Sequence, residues 1–187
     1  MERRWRWALA GLCGAWLALA WVLRGYYPIG SFHDDCNYIL MARQILSGQA
    51  PDRPGYLPGW PLMAAVWLAL TGNSLVAVRA LNALSLLGAG LLLQKLALPR
   101  LGAAGSLGVM TVFLFNPATL TLSSTWLSEP FFLLVMFLCL WMASSPRADR
   151  TFVLVGALLG WLAVVRVAGV AVALAVVLGL ALSRGRR

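Results

Sequence analysis

Apolar residues fall into long blocks along the chain, separated by short polar or glycine- and proline-rich breaks. A helix needs ~20 apolar residues to cross a bilayer, with ~17 as a lower bound. The first block of that size is 7–23, fenced by Arg3, Arg4 and Arg6 before it and Arg24 after it. Its length and its Trp16 and Trp21 favour a retained anchor over a cleaved signal peptide. The next blocks are 75–98, closed by Pro99-Arg100, 101–115, closed by Asn116-Pro117, and 126–142. The last block, 151–182, has about twice the minimum length for one crossing. A break near Arg166–Gly169 divides it into two crossings. The pattern predicts an all-α polytopic membrane bundle of about six spans in a single domain.

Composition narrows the class. The chain is 61% hydrophobic and 11% charged, with a mean hydropathy of +0.82. Soluble domains are nearer half apolar and a quarter charged. The net charge of +9 would suggest nucleic acid in a soluble protein. In this apolar chain positive cytoplasmic loops explain it, and no nucleic-acid partner is expected. The three cysteines form no CxxC or CxxCH pair, which excludes zinc-ribbon and haem-attachment motifs.

The charges also orient the spans. With the N-terminus in the cytoplasm, the basic segments 3–6, 95–100 and 147–150 alternate onto the inner side. The C-terminal Arg184, Arg186 and Arg187 then also belong inside. Asp34, Asp35, Asp52 and Glu129 fall outside. The expected location is the cell (inner) membrane, with both termini cytoplasmic and the active face extracytoplasmic.

The polar stretch 24–61 is the large external loop. Tyr38, Met41, Ala42 and Ile45 recur at i, i+3, i+4 and i+7, which predicts an amphipathic helix over 36–47, lying in the membrane interface. Asp34 is placed to cap it, and Gly48 to end it. Only one of two adjacent carboxylates can cap. The other wants a cation, a metal or a substrate proton. The proline- and aromatic-rich segment 51–61 leads into a short helix at 62–70, on or dipping into the interface.

Other polar groups sit near the same outer surface. Glu129 lies in Ser128-Glu129-Pro130, at the outer end of a span, where an ionisable group is expensive and is a functional candidate. Arg166 and Arg79 lie near the same depth. Each is read either as a phosphate clamp or as a snorkelling side chain. His33 is the lone histidine. It is read first as a loop residue, and second as a companion of Glu129 at an acceptor or metal site. The chain has no GxxxxGK[ST], HExxH or GxSxG. The inventory suits a lipid-phosphate sugar donor. Its phosphate leaving group needs charge stabilisation, while one carboxylate takes the acceptor proton. A divalent cation would fit that chemistry.

Several motifs in order resemble the N-terminal part of the GT-C superfamily of membrane glycosyltransferases, and within it the protein mannosyltransferase and aminoarabinose transferase branches. They are Asp34-Asp35-Cys36-Asn37-Tyr38 with Ala42-Arg43 and Gly48, Pro58-Gly59-Trp60-Pro61-Leu62, Arg79-Ala80-Leu81-Asn82, Ser128-Glu129-Pro130, and Gly156–Gly160 with Arg166 and Gly169. The resemblance implies a polyprenyl-phosphate sugar donor and an acceptor hydroxyl on the extracytoplasmic face. It implies a catalytic aspartate at Asp34 or Asp35, with Asp35 preferred. It implies a second acidic site at Glu129. Arg166 and Arg79 are assigned to the donor phosphate on the residue reading alone. Members of that family usually continue with further spans, so a second membrane subunit supplying them is an expected partner, beside membrane lipid. The competing expectation is a non-catalytic membrane scaffold or lipid-binding subunit.

Overall fold

A computed structural model describes residues 3–28, 31–53, 55–144 and 149–184, without the side chains of His33, 149–152 and 180–184. The side chains of His33, Arg150 and Arg184 and the residues Arg147, Arg186 and Arg187 therefore lie outside what is described. Among the described residues the chain is all-helical, with eight helices and no strand. They are α1 (Arg3–Leu23), α2 (His33–Leu46), α3 (Gly59–Leu70), α4 (Leu75–Leu114), α5 (Pro117–Ser124), α6 (Glu129–Ser144), α7 (Asp149–Val165) and α8 (Ala168–Arg184).

Two of these helices, α1 and α4, are long and apolar enough to cross a membrane. The number rises to three if α5 and α6, which meet at a bend of 115°, count as one broken span.

Helix α4 covers the two expected blocks at 75–98 and 101–115. The expected break at Pro99-Arg100 falls instead at Gly102, where φ is 65° and ψ is −174°. Proline removes one helical N–H, and the next glycine takes a backbone region essentially closed to other residues. The chain turns there and the second arm folds back on the first. Gln94 Nε2 donates to Ser106 Oγ at 3.1 Å across the turn. Further along, Ala83 and Leu86 of the first arm share a core with Met110 and Leu114 of the second. Trp16 of α1 is fully buried in this core, and its indole N–H donates to the Ala83 carbonyl at 3.3 Å.

Helix α2 starts earlier than the 36–47 periodicity suggests. Phe32 is its N-cap residue, and no side chain caps it. The capping role expected of Asp34 is therefore not what the structure shows. Both aspartates lie in the first helical turn, where the helix dipole still favours them.

The short helix expected at 62–70 begins at Gly59, and it is a core element. Trp60, Ala64 and Leu68 are fully buried against Ile39 and Ala42 of α2 and Val78 of α4. The Trp60 indole donates to the Trp126 carbonyl at 3.1 Å, so this tryptophan is a buried anchor and not a membrane-interface one.

The span expected at 126–142 begins at Glu129. Residues 125–128 form the elbow between α5 and α6. Asn82 Nδ2 holds that elbow through the carbonyls of Thr125, at 2.7 Å, and Leu127, at 3.2 Å.

The break expected near Arg166–Gly169 is present, with α7 ending at Val165 and α8 starting at Ala168. Two glycines make the junction tight. A Cβ on Gly59 would lie 2.7 Å from the Val164 carbonyl oxygen, and one on Gly169 would lie 2.3 Å from the Leu162 carbonyl oxygen.

Candidate functional site

Successive residues of a helix point about 100° apart around its axis. The two adjacent aspartates of α2 therefore point in different directions, and here they reach different surroundings. Asp34 is exposed and lines a cleft of about 480 Å³. Tyr38, Tyr56, Leu57, Val165 and Arg166 line the same cleft. Asp35 is only 2% exposed and lies within electrostatic reach of Arg79. The expectation preferred Asp35. The structure gives the cleft wall to Asp34.

Tyr56 organises this wall. Its hydroxyl donates to Asp34 Oδ1 at 2.8 Å and accepts from Asn37 Nδ2 at 2.8 Å. Its ring meets Tyr38 edge-to-face with centroids 5.5 Å apart. The hydrogen bond to Asp34 is the main cause pushing the Tyr56 hydroxyl above its ordinary pKa. Burial is the main cause raising Tyr38, while the nearby charges of Asp34 and Glu129 add to it and Arg166 opposes it. Tyr38 thus lies within electrostatic reach of both Asp34 and Glu129, and its hydroxyl is also held by a hydrogen bond with Ser128.

The opposite wall comes from the α7–α8 junction, which residues 128 and 129 hold from behind through Arg166. Arg166 Nη1 forms an ion pair with Glu129 Oε1. The same nitrogen donates to Ser128 Oγ at 3.2 Å. About a third of each charged side chain is exposed, 35% for Arg166 and 33% for Glu129. The second Glu129 oxygen, Oε2, is buried and has no hydrogen-bond partner among the described residues.

Helix α3 positions this wall. Its N-terminal Gly59 lies against the backbone of Val164 and Val165, immediately before Arg166. The proline-rich segment thus carries Tyr56 to one side of the cleft and braces Arg166 on the other.

Arg79 lies apart from the cleft. Its guanidinium donates to the carbonyls of Arg24 and, at 2.8 Å, Tyr27. It pins the chain after α1 onto α4 and borders a mainly apolar pocket of about 170 Å³ between those helices. The sequence candidates therefore divide into two groups. Asp34, Glu129 and Arg166 come together, while buried Asp35 and half-buried Arg79 form a second set.

Tyr56 is the residue the sequence reading did not single out. Interfacial anchoring accounted for the aromatics of its segment, and only the unusual number of prolines there pointed to a more structured role.

No group of three or more His, Cys, Asp or Glu gathers to hold a metal among the described residues. Glu129 has an arginine for its counter-charge. No family model, curated protein or solved structure matches the chain.

Proposed function

We propose that the chain is a glycosyltransferase of the GT-C type, or the N-terminal portion of one. It moves a sugar from a polyprenyl-phosphate donor to an acceptor hydroxyl on the extracytoplasmic face of the cell membrane. The proposed topology has six crossings with both termini inside. The two arms of α4 count as two of them, α5 and α6 together as one, and α7 and α8 as two. The observation that carries the reading is the cleft itself, where an exposed carboxylate and an arginine face one volume.

The chemistry runs as a single displacement. Asp34 accepts the proton of the acceptor hydroxyl as general base. The freed oxygen bonds to the anomeric carbon. The bond from that carbon to the donor's phosphate oxygen breaks, and its electron pair stays on the phosphate. Arg166 offsets the growing negative charge, which is the role its planar guanidinium suits. Tyr56 and Asn37 hold the Asp34 carboxylate in one orientation. Glu129 and Ser128 hold the guanidinium in place.

The test is sugar transfer in proteoliposomes from a panel of labelled polyprenyl-phosphate sugars, with any second membrane subunit co-reconstituted. Asp34→Asn should cut transfer by at least about 100-fold while membrane insertion is unchanged. Transfer by Asp34→Asn at the parent rate would sink the assignment.

One observation favours the second reading, a non-catalytic scaffold. Arg166 pairs with Glu129 and Ser128 without any ligand, as a latch joining α6 to the α7–α8 junction would. Replacing both charges with leucine separates the two readings. Well-packed apolar residues often stand in for an ion pair without loss of stability. On the scaffold reading the parent transfers no sugar and the double variant keeps its stability, whereas on the phosphate-clamp reading the parent transfers sugar and the double variant keeps its stability and loses transfer.

A further inference from the structure

The two ends of the bundle differ in charge. Antiparallel packing of α1 on the first arm of α4 fixes which residues share an end. Arg24 meets Arg79, and Trp16 meets Ala83. Helices rise about 1.5 Å per residue, so ten residues back along α1 and twelve forward along α4 travel roughly 15 and 18 Å. Arg6 and Lys95 therefore lie at the same end, far from the cleft.

That end carries exposed Arg3, Arg4, Arg6, Lys95 and Arg100. Tryptophans sit among them. Arg4 lies over the Trp5 ring at 5.1 Å, Lys95 lies over the Trp141 ring at 5.2 Å, and Trp7 is 68% exposed. The described acidic side chains, Asp34, Asp35, Asp52 and Glu129, belong to α2, the α2–α3 loop and the start of α6, at the other end. Neighbouring sequence keeps the balance positive, with Arg147 and Arg150 flanking Asp149, and Glu2 beside three arginines.

A ring of exposed cations on apolar, membrane-length helices, with indoles at the same level, matches one ligand by charge and by position. We infer that Arg3, Arg4, Arg6, Lys95 and Arg100, with Trp5 and Trp7, form a binding surface for the phosphate headgroups of anionic phospholipids. The arginines supply charge and bidentate donors to phosphate. The indoles settle at headgroup depth, amphipathic as they are. Arg6 and Trp7 are adjacent on α1, so the guanidinium and the exposed ring reach the same layer. This surface is independent of sugar transfer, since it shares no residue with the cleft.

The experiment reconstitutes the full chain in nanodiscs and measures tryptophan quenching by brominated phosphatidylglycerol against brominated phosphatidylcholine. The ratio of the two association constants is the readout. Each surface arginine contributes about fivefold at low salt, so replacing Arg3, Arg4 and Arg6 with glutamine should reduce the preference for the anionic lipid by up to about 100-fold. Replacement by lysine should keep most of it, which separates charge from misfolding. High salt should erase the preference in the parent protein. Asp34→Asn should leave it unchanged. A preference that survives the glutamine variant within about twofold would overturn the proposal. So would displacement of the lipid by an equal concentration of inorganic phosphate, since the surface would then recognise free anion.

Discussion

Two tyrosine hydroxyls and one ion pair determine how the cleft responds to its solution. Tyr56 and Tyr38 both hold their protons more tightly than free tyrosine, the first through Asp34 and the second through burial. A folded-state pKa raised above the unfolded value, about 10 for tyrosine, means a contribution fully present below that pH. It fades as the pH climbs through the raised value. The cleft should thus keep the hydrogen bonds donated by its tyrosines across neutral pH and lose them in strong alkali. Tyrosinate absorbance, taken as the difference between the parent and Tyr56→Phe, should develop only above pH ~10. A difference signal appearing below that pH would show that the Tyr56–Asp34 bond is not formed. The ion pair makes its own prediction. Glu129→Ala leaves the Arg166 guanidinium with only Ser128 at this wall, and it should destabilise the protein by about 1–2 kcal/mol in thermal unfolding. The figure is modest because a third of each partner meets solvent. Asp34, Glu129 and Arg166 were legible in the sequence as charged residues at breaks between apolar blocks. Which aspartate faced the cleft was not legible, because that depends on where the helix starts. A start at His33 rather than at 36 sets the rotation of every side chain after it.

Three glycine-dependent junctions shape the elements around the site, and each makes a distinct demand. Gly102 needs a backbone region that other residues avoid, with open space around it. Gly59 and Gly169 need room, because a neighbouring backbone occupies the place of a Cβ. Gly102→Ala should therefore cost about 1–3 kcal/mol through strain at the turn of α4, without touching the cleft. Gly59→Ala should cost a similar amount by overpacking, and should also displace Arg166, because the clash falls on Val164 and Val165. Paired melting curves and cleft labelling separate the two. Equal effects of both variants on the reactivity of a cysteine at position 167 would contradict the bracing role of Gly59. The helices themselves were readable from apolar blocks, since membrane-length runs leave few alternatives. The α7–α8 break was readable from Arg166 and Gly169 interrupting an overlong block. The short helix α5 was not readable, because Pro117 and Asn116 mark a helix start as well as they mark a stop. In the structure Asn116 accepts from the Ala118 N–H and begins a new helix. Helix α3 was read as interfacial because its apolar run is short. Burial of Trp60, Ala64 and Leu68 against α2 made it core.

At the scale of the whole molecule, the bundle separates a partly open end that holds the four described acidic side chains together with several arginines from an end whose described charges are all basic. The residues that define the cleft are far apart in sequence: α2 supplies Asp34, the α2–α3 loop supplies Tyr56, and the α7–α8 junction supplies Arg166. Hydrophobic pattern alone cannot bring them together. Proximity comes from the close packing of Gly59 on α7 and from Trp60 and Trp126 binding α3 to the elbow. The account stands on Asp34 and Arg166 facing one cleft, and on the proposal that this cleft opens to the outside of the membrane. In a variant with Cys13, Cys36 and Cys139 replaced, cysteines at positions 34 and 166 should react with a membrane-impermeant thiol reagent added outside intact cells, and a short bifunctional maleimide should join them. Labelling only after the membrane is opened, or two reactive cysteines that never cross-link, would contradict it.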